Sequence, residues 1–128
     1  MSVDTQAMLD SAGGGGGELA AVLDALSACE QASTVCGTAM DEVGGMAFEV
    51  HRAMDCADVC GTARRVLSRV AHHDPRVVAA VIEAAVVACE SSAAACDAHA
   101  DHHEHCRLHS TAAHDCAQAL RALQKTAS

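Results

Sequence analysis

Residues Cys89–Cys116 read CESSAAACDAHADHHEHCRLHSTAAHDC. Four cysteines and six histidines (His99, His102, His103, His105, His109 and His114) sit in this stretch. Alanine, the strongest helix former, is the commonest residue between them and stands on both sides of a short turn at 100–102. The stretch therefore reads as two helices joined by a tight turn, with soft and borderline metal donors on both. Four more cysteines upstream look placed to meet them.

Composition extends this reading to the whole chain. The 128 residues are 51% hydrophobic but only 1% aromatic, with Phe48 the sole aromatic and a single proline. A core without aromatics must be filled by Ala, Val, Leu, Met and Cys, which suits closely packed helices. One all-α domain is expected, long enough to bury a core.

Residues 1–17 end in five glycines, Gly13 to Gly17, and read as a flexible tail. A first helix is expected from Glu18 to about Val43, stopped by Gly44-Gly45. A second runs from Met46 to Val70 or Ala71. Asp74 can cap a third that has Pro75 in its first turn and ends near Ala98 or His99. A fourth runs from His103 to Lys125. Four helices of ~25 residues with short connections predict an antiparallel up-down-up-down four-helix bundle over 18–128.

The cysteines fall on one face of each helix. Cys29 and Cys36 are seven apart, Cys56 and Cys60 four, Cys89 and Cys96 seven, and Cys106 and Cys116 ten. All these separations return to nearly the same helix face. With ~1.5 Å of rise per residue, Cys36, Cys96 and Cys106 lie roughly 5–10 Å from the end that carries the 1–2 and 3–4 turns. Cys29, Cys56, Cys60, Cys89 and Cys116 lie roughly 15–21 Å from it. Two thiol layers should result. His99, His102, His103, His105 and His109 crowd the mouth above them, and Leu19, Leu23, Val66, Val70, Val77, Val81, Leu120 and Leu123 fill the far half.

Buried thiols at helical spacing lack the knuckle turns of a structural zinc site. Cu(I) accepts low coordination by soft thiolate, and copper is the preferred metal over zinc. The candidate ligands are the eight cysteines with His99, His105 and His109. Met40, Met46 and Met54 stand near the mouth and read first as core packing. His51, His72, His73 and His114 read as solvated.

The formal net charge of −9 argues against nucleic acid and anionic membranes as partners. The apolar run Val77 to Cys89 is interrupted by Glu83 and is shorter than the ~20 residues of a span. The N-terminal stretch lacks the basic and apolar regions of a secretory signal. A cytoplasmic protein with free thiols is expected.

Two motifs carry a resemblance: DCADVC at Asp55 to Cys60 followed by GTARRVLSR, and ACDAHADHHEHC from Ala95 to Cys106. From about Leu26 to Leu123 the chain resembles the cytosolic copper storage proteins. The resemblance implies a cysteine-lined four-helix bundle that binds many Cu(I) ions, assembles as a tetramer and admits metal at a histidine-bearing end. The family spaces cysteines by alternating fours and threes. Here the stripes read Ala25, Cys29, Ala32, Cys36; then Ala85, Cys89, Ser92, Cys96, His99; and Cys106, His109, Ala113, Cys116. Glu49 falls where the pattern allows another cysteine. About half the thiols are missing. Low-capacity Cu(I) storage, buffering or delivery is the first reading. A copper enzyme with an open Cys/His site, in which Glu49 or Glu104 moves protons, is the second, and structural zinc the third.

Overall fold

The computed structural model describes residues 4–14, 17–71 and 73–127. All regular structure among them is helical: α1 (Thr5–Ser11), α2 (Gly17–Val43), α3 (Ala47–Ser68), α4 (Pro75–Asp97) and α5 (Glu104–Ala127). The four long helices match the expected ones closely, and the boundaries have local causes. Gly44 and Gly45 take φ of 83° and 73°, left-handed values that end α2 and that other residues reach only with strain. The Asp74 carboxylate accepts the Arg76 N–H at 2.9 Å, and Pro75 opens α4 where no intrahelical N–H is needed. After α4 the chain stays tightly coiled, with the His102 and His103 N–H groups both 3.0 Å from the His99 carbonyl.

The four long helices form a closed ring of neighbours: α2 packs on α3 and α5, and α4 packs on α3 and α5. Small residues let them approach closely. Ala53, Ala63, Ala85, Ala93 and Ala113 are all fully buried. One core cluster gathers Val22, Leu26, Leu67, Ile82, Val86 and Leu120 around Cys29, Cys56, Cys60, Cys89 and Cys116. A second holds Met40, Met46 and Ala53 with Cys36, Cys96 and Cys106. Met54 instead packs over Gly37 where α2 meets α3; a Cβ at that glycine would lie 2.3 Å from its methyl.

Two expectations need correction. Thr5–Ser11 is not a flexible tail but a helix. Asp4 caps it by accepting the Ala7 N–H at 3.0 Å, the Thr5 hydroxyl donates to Asp24 at 2.6 Å, and Leu9 is buried in the main core cluster. The run of glycines hid a short amphipathic segment whose one large buried side chain finds its partners only in the folded chain. Gly15 and Gly16 lie outside the described residues. The second correction concerns α4. By length and composition it is apolar enough to cross a bilayer, with mean hydropathy 1.8 over its best window. Its stripe of Ile82, Ala85, Val86, Cys89, Ser92, Ala93 and Cys96 is buried against the other helices.

Gly14 sits where a Cβ would come within 2.5 Å of the Val70 Cβ, an atom held close to the backbone. Gly14→Ala is therefore expected to lift α1 from its seat. Hydrogen exchange should show residues 5–11 losing protection at least 10-fold, with the protection of α2–α5 unchanged.

Candidate metal centre

The inward stripes of the four long helices converge on sulfur and imidazole. On α2 the stripe is Cys29, Ser33, Cys36 and Met40, every one fully buried. It steps by four, three and four, so it passes through Ser33 rather than the expected Ala32, which lies on the flank and is only partly buried. Ser33 was the residue the sequence reading missed, and the step of four from Cys29 was the signal that could have found it. On α4 the stripe is Cys89, Ser92 and Cys96, and on α5 it is Cys106, His109, Ala113 and Cys116, all essentially without solvent exposure.

Deepest is a ring of four sulfurs from three helices. Cys29 Sγ lies 3.5 Å from Cys56 and 3.9 Å from Cys89, and Cys60 lies 3.9 Å from Cys56 and 3.6 Å from Cys89. The four Sγ atoms all fall within 4.8 Å of one another. Cys116 adjoins the ring, since its thiol influences the protonation of Cys29, Cys60 and Cys89.

Nearer the turns that join α2 to α3 and α4 to α5 lies a mixed set. Cys36 Sγ is 3.9 Å from Cys106 Sγ and 3.2 Å from His105 Nδ1, which is 3.6 Å from Cys106 Sγ. Cys36 also belongs to a second triad with Cys96 and His109, in which His109 Nδ1 is 3.1 Å from Cys96 Sγ. Met40 and Met46 pack against these sulfurs.

His109 faces the interior, as its place on the cysteine stripe led one to expect, but it lies deeper than the mouth. It is fully buried between the two sulfur sets, its Nε2 held 3.0 Å from Ser33 Oγ and 2.7 Å from Ser92 Oγ. His105 does face the sulfurs, and its ring stacks on His103 with centroids 5.2 Å apart. His99 has a different partner: its Nε2 lies 2.6 Å from Glu49 Oε2, and it joins none of the Cys/His groups found among the described residues. His51 and His73 are exposed, while His72 lies outside the described residues. His114, though exposed, is 3.3 Å from Asp97.

Crowded sulfurs share protons unequally, and thiolates are the forms that bind metal. Cys29 is held well below the usual thiol range because Cys116, Cys56, Cys60 and Cys89 hydrogen-bond to it, against the opposing effect of burial. Cys60 and Cys89 are pushed well above that range, each first by Cys116 and then by Cys29. The Cys56 contact with Cys29 raises it, but Cys60, Cys89 and His109 bring it down to about 6. In the mixed set, Cys36 rises and Cys96 falls to about 5, each chiefly through the other, with His109 also lowering Cys96. Burial disfavours a charged His109, yet Cys56 and Cys96 raise it to about 9. Glu49 is lowered, chiefly by its hydrogen bond with His99.

These features define a class: an all-helical protein whose interior presents two sets of soft donors, with no disulfide among its eight cysteines. The chain belongs to the copper storage protein family, whose family model, described as Csp, copper storage protein, matches residues 17–125. Among solved structures it is similar to the copper storage protein Ccsp of Streptomyces lividans loaded with ten copper equivalents, at 35% identity and TM-score 0.80 over 83% of each chain. A second structure of the cytosolic copper storage protein from that organism, described as holding five coppers, matches at 35% identity and TM-score 0.80 over 83% of this chain and 91% of the other. A histidine variant of Ccsp matches at 32% identity and TM-score 0.83, covering 87% and 95%. No curated protein matches the chain.

Proposed function

We propose that this protein takes up and holds Cu(I) in its interior as a low-capacity store or buffer that can pass the metal on. The single observation that carries this reading is the solvent-free ring of Cys29, Cys56, Cys60 and Cys89, with neighbouring sulfurs 3.5–3.9 Å apart. Pure thiolate ligation selects Cu(I) among biological metals other than zinc and iron–sulfur clusters. A lone Zn(II) on four thiolates would leave a double negative charge in an apolar core with no backbone loop to donate to it, whereas four Cu(I) on four thiolates is neutral. Family membership and the copper-loaded Streptomyces relatives support the same metal.

Cys36, Cys96, Cys106, His105 and His109 form the outer ligand set, and Cys116 lends a further sulfur to the inner one. His99 orients at the mouth through Glu49. The contacts of α2–α5 and the three-residue connection at 44–46 support an antiparallel up-down-up-down bundle over 18–128, with α1 added to its side. Cytosolic relatives support a cytoplasmic location. The outward face of α4, where Val77 and Val87 are about half exposed, supports assembly with other copies, a tetramer by family resemblance. The net charge of −9 supports neither nucleic acid nor anionic lipid as a partner.

One observation favours a copper enzyme as the second reading. Cys36, Cys106 and His105 supply three donors, and Glu49 is close enough to Cys106 to influence its charge. Three protein ligands leave a position open for substrate.

The deciding experiment titrates the reduced, anaerobic protein with Cu(I) against a chromophoric chelator and counts ions by native mass spectrometry. Four or more tight ions per chain are expected. One or two, with an open position seen by X-ray absorption, favours the enzyme, and no tight copper overturns both readings.

A further inference from the structure

A cavity of about 360 Å³ lies where α1 rests on the first part of α2 and the last turns of α3, away from the turns that carry the outer metal set. That volume falls within the range of about 300–1,000 Å³ typical of small-molecule sites. Leu9 from α1, Leu23 from α2 and Val70 just beyond α3 give it apolar walls, and Ser27 and Arg64 give it polar ones. Among the described residues Arg64 is the only charged one that lines it. Two carboxylates stand near without lining it. Asp24 accepts the Thr5 hydroxyl at 2.6 Å, and Glu30 accepts one Arg64 Nη2 hydrogen at 2.9 Å. Arg64 Nε is buried and has no acceptor in the protein. A guanidinium edge left unmatched in this way is costly, and its planar fork suits a carboxylate better than any other common anion.

We propose that this cavity binds a small amphipathic carboxylate, an aliphatic acid of medium chain length, with its chain against Leu9, Leu23 and Val70 and its carboxylate on Arg64. Burial of the chain supplies the driving force. The carboxylate supplies the acceptor that Nε lacks, the guanidinium swinging toward the cavity while Nη2 keeps Glu30. A doubly charged phosphate is a poorer match, because one guanidinium already shared with Glu30 offers too little positive charge and the apolar walls would stay unfilled. Because Leu9 belongs to α1, an occupant ties that short helix to the bundle. This site is separate from the sulfur sets and does not depend on the copper-binding reading.

The test titrates octanoate into the reduced, metal-free full chain by calorimetry and compares it with octanol. One saturable site with a Kd on the order of 0.1 mM is expected for octanoate, and octanol should bind at least 10-fold more weakly. Hydrogen exchange should show residues 5–11 gaining protection at saturation. Arg64→Gln should weaken octanoate at least 10-fold. Glu30→Gln, which frees the fork from its competing carboxylate, should leave binding unchanged or tighten it. Were Arg64 important only for its pairing with Glu30, the two variants would lose binding equally. Gly14→Ala, which lifts α1 and leaves α2–α5 intact, should also weaken binding at least 10-fold and tests the site if Arg64→Gln fails to fold. The proposal is overturned by the absence of saturable octanoate binding at millimolar concentrations, by octanol binding as tightly as octanoate, by equal losses in Arg64→Gln and Glu30→Gln, or by unchanged binding in Gly14→Ala.

Discussion

Cys89→Ser is expected to weaken the tightest Cu(I) binding on the order of 100-fold or more. Outer-shell partners of a metal site already cost 10–100-fold when removed, and Cys89 stands in the ring itself. It supplies two of the four sulfur–sulfur edges, 3.9 Å to Cys29 and 3.6 Å to Cys60. Serine matches its shape but presents a hard oxygen that Cu(I) does not favour. The new hydroxyl is buried among thiols, weak partners that leave part of its hydrogen-bonding capacity unused, so a stability loss of about 1–3 kcal/mol should accompany the change. Competition against a chromophoric chelator reads the affinity, and urea unfolding of the metal-free variant reads the stability. Val35→Ser on α2 is the control, because Val35 is 58% exposed and lies off the buried stripe of that helix. An affinity within threefold of wild type for Cys89→Ser would remove the ring as the principal site.

Leu26→Ala is expected to be the most damaging change outside the ligands. Leu26 is fully buried one turn from Cys29 on the same stripe and belongs to the cluster with Leu120, Ile82 and Val86. With so few bulky side chains in this core, its neighbours have little with which to fill the void. A loss of about 3–5 kcal/mol is expected for the metal-free protein. For a domain of this size that lowers Tm by about 10–20 °C. Copper should raise the stability of both proteins, because a ligand at 100 times its Kd adds about 2.7 kcal/mol to the folded state. With the ligands untouched that increment is the same for each, so calorimetry should show wild type and variant both melting higher when loaded, with the gap between them kept. A variant that gains much less than wild type on loading would mean that Leu26 also holds the sulfurs in place for copper.

Much of this was legible along the chain. Glycine pairs, the Asp74-Pro75 cap and uninterrupted Ala-rich segments each act within one helical turn, so the long helices could be bounded to within two or three residues. The cysteine spacings likewise act within a helix, and the ~1.5 Å rise was enough to sort the sulfurs into two layers. Where the reading slipped, the deciding contact crossed between helices. α1 looked like a tail because Leu9 is one apolar residue among polar ones until the core closes over it. Ser33 was passed over for Ala32 because a step of three and a step of four are nearly equivalent on an isolated helix; which one faces inward is set by the neighbours. His109 was expected to face inward at the mouth, yet hydroxyls from α2 and α4 hold it deeper, and His99 was expected beside it as a candidate ligand, yet it pairs with Glu49 on α3.

The sequence by itself determined the helices, the inward thiol stripes and the class of metal, because propensity, capping and periodicity are local properties of the chain. Only the tertiary structure decided which donors meet. Sulfurs 60 residues apart come within 3.9 Å across the interior, and the imidazole between the two sets has its hydrogen-bond partners on two other helices. Those relations depend on the rotation and depth of each helix against its neighbours, which side-chain packing sets and no single segment encodes.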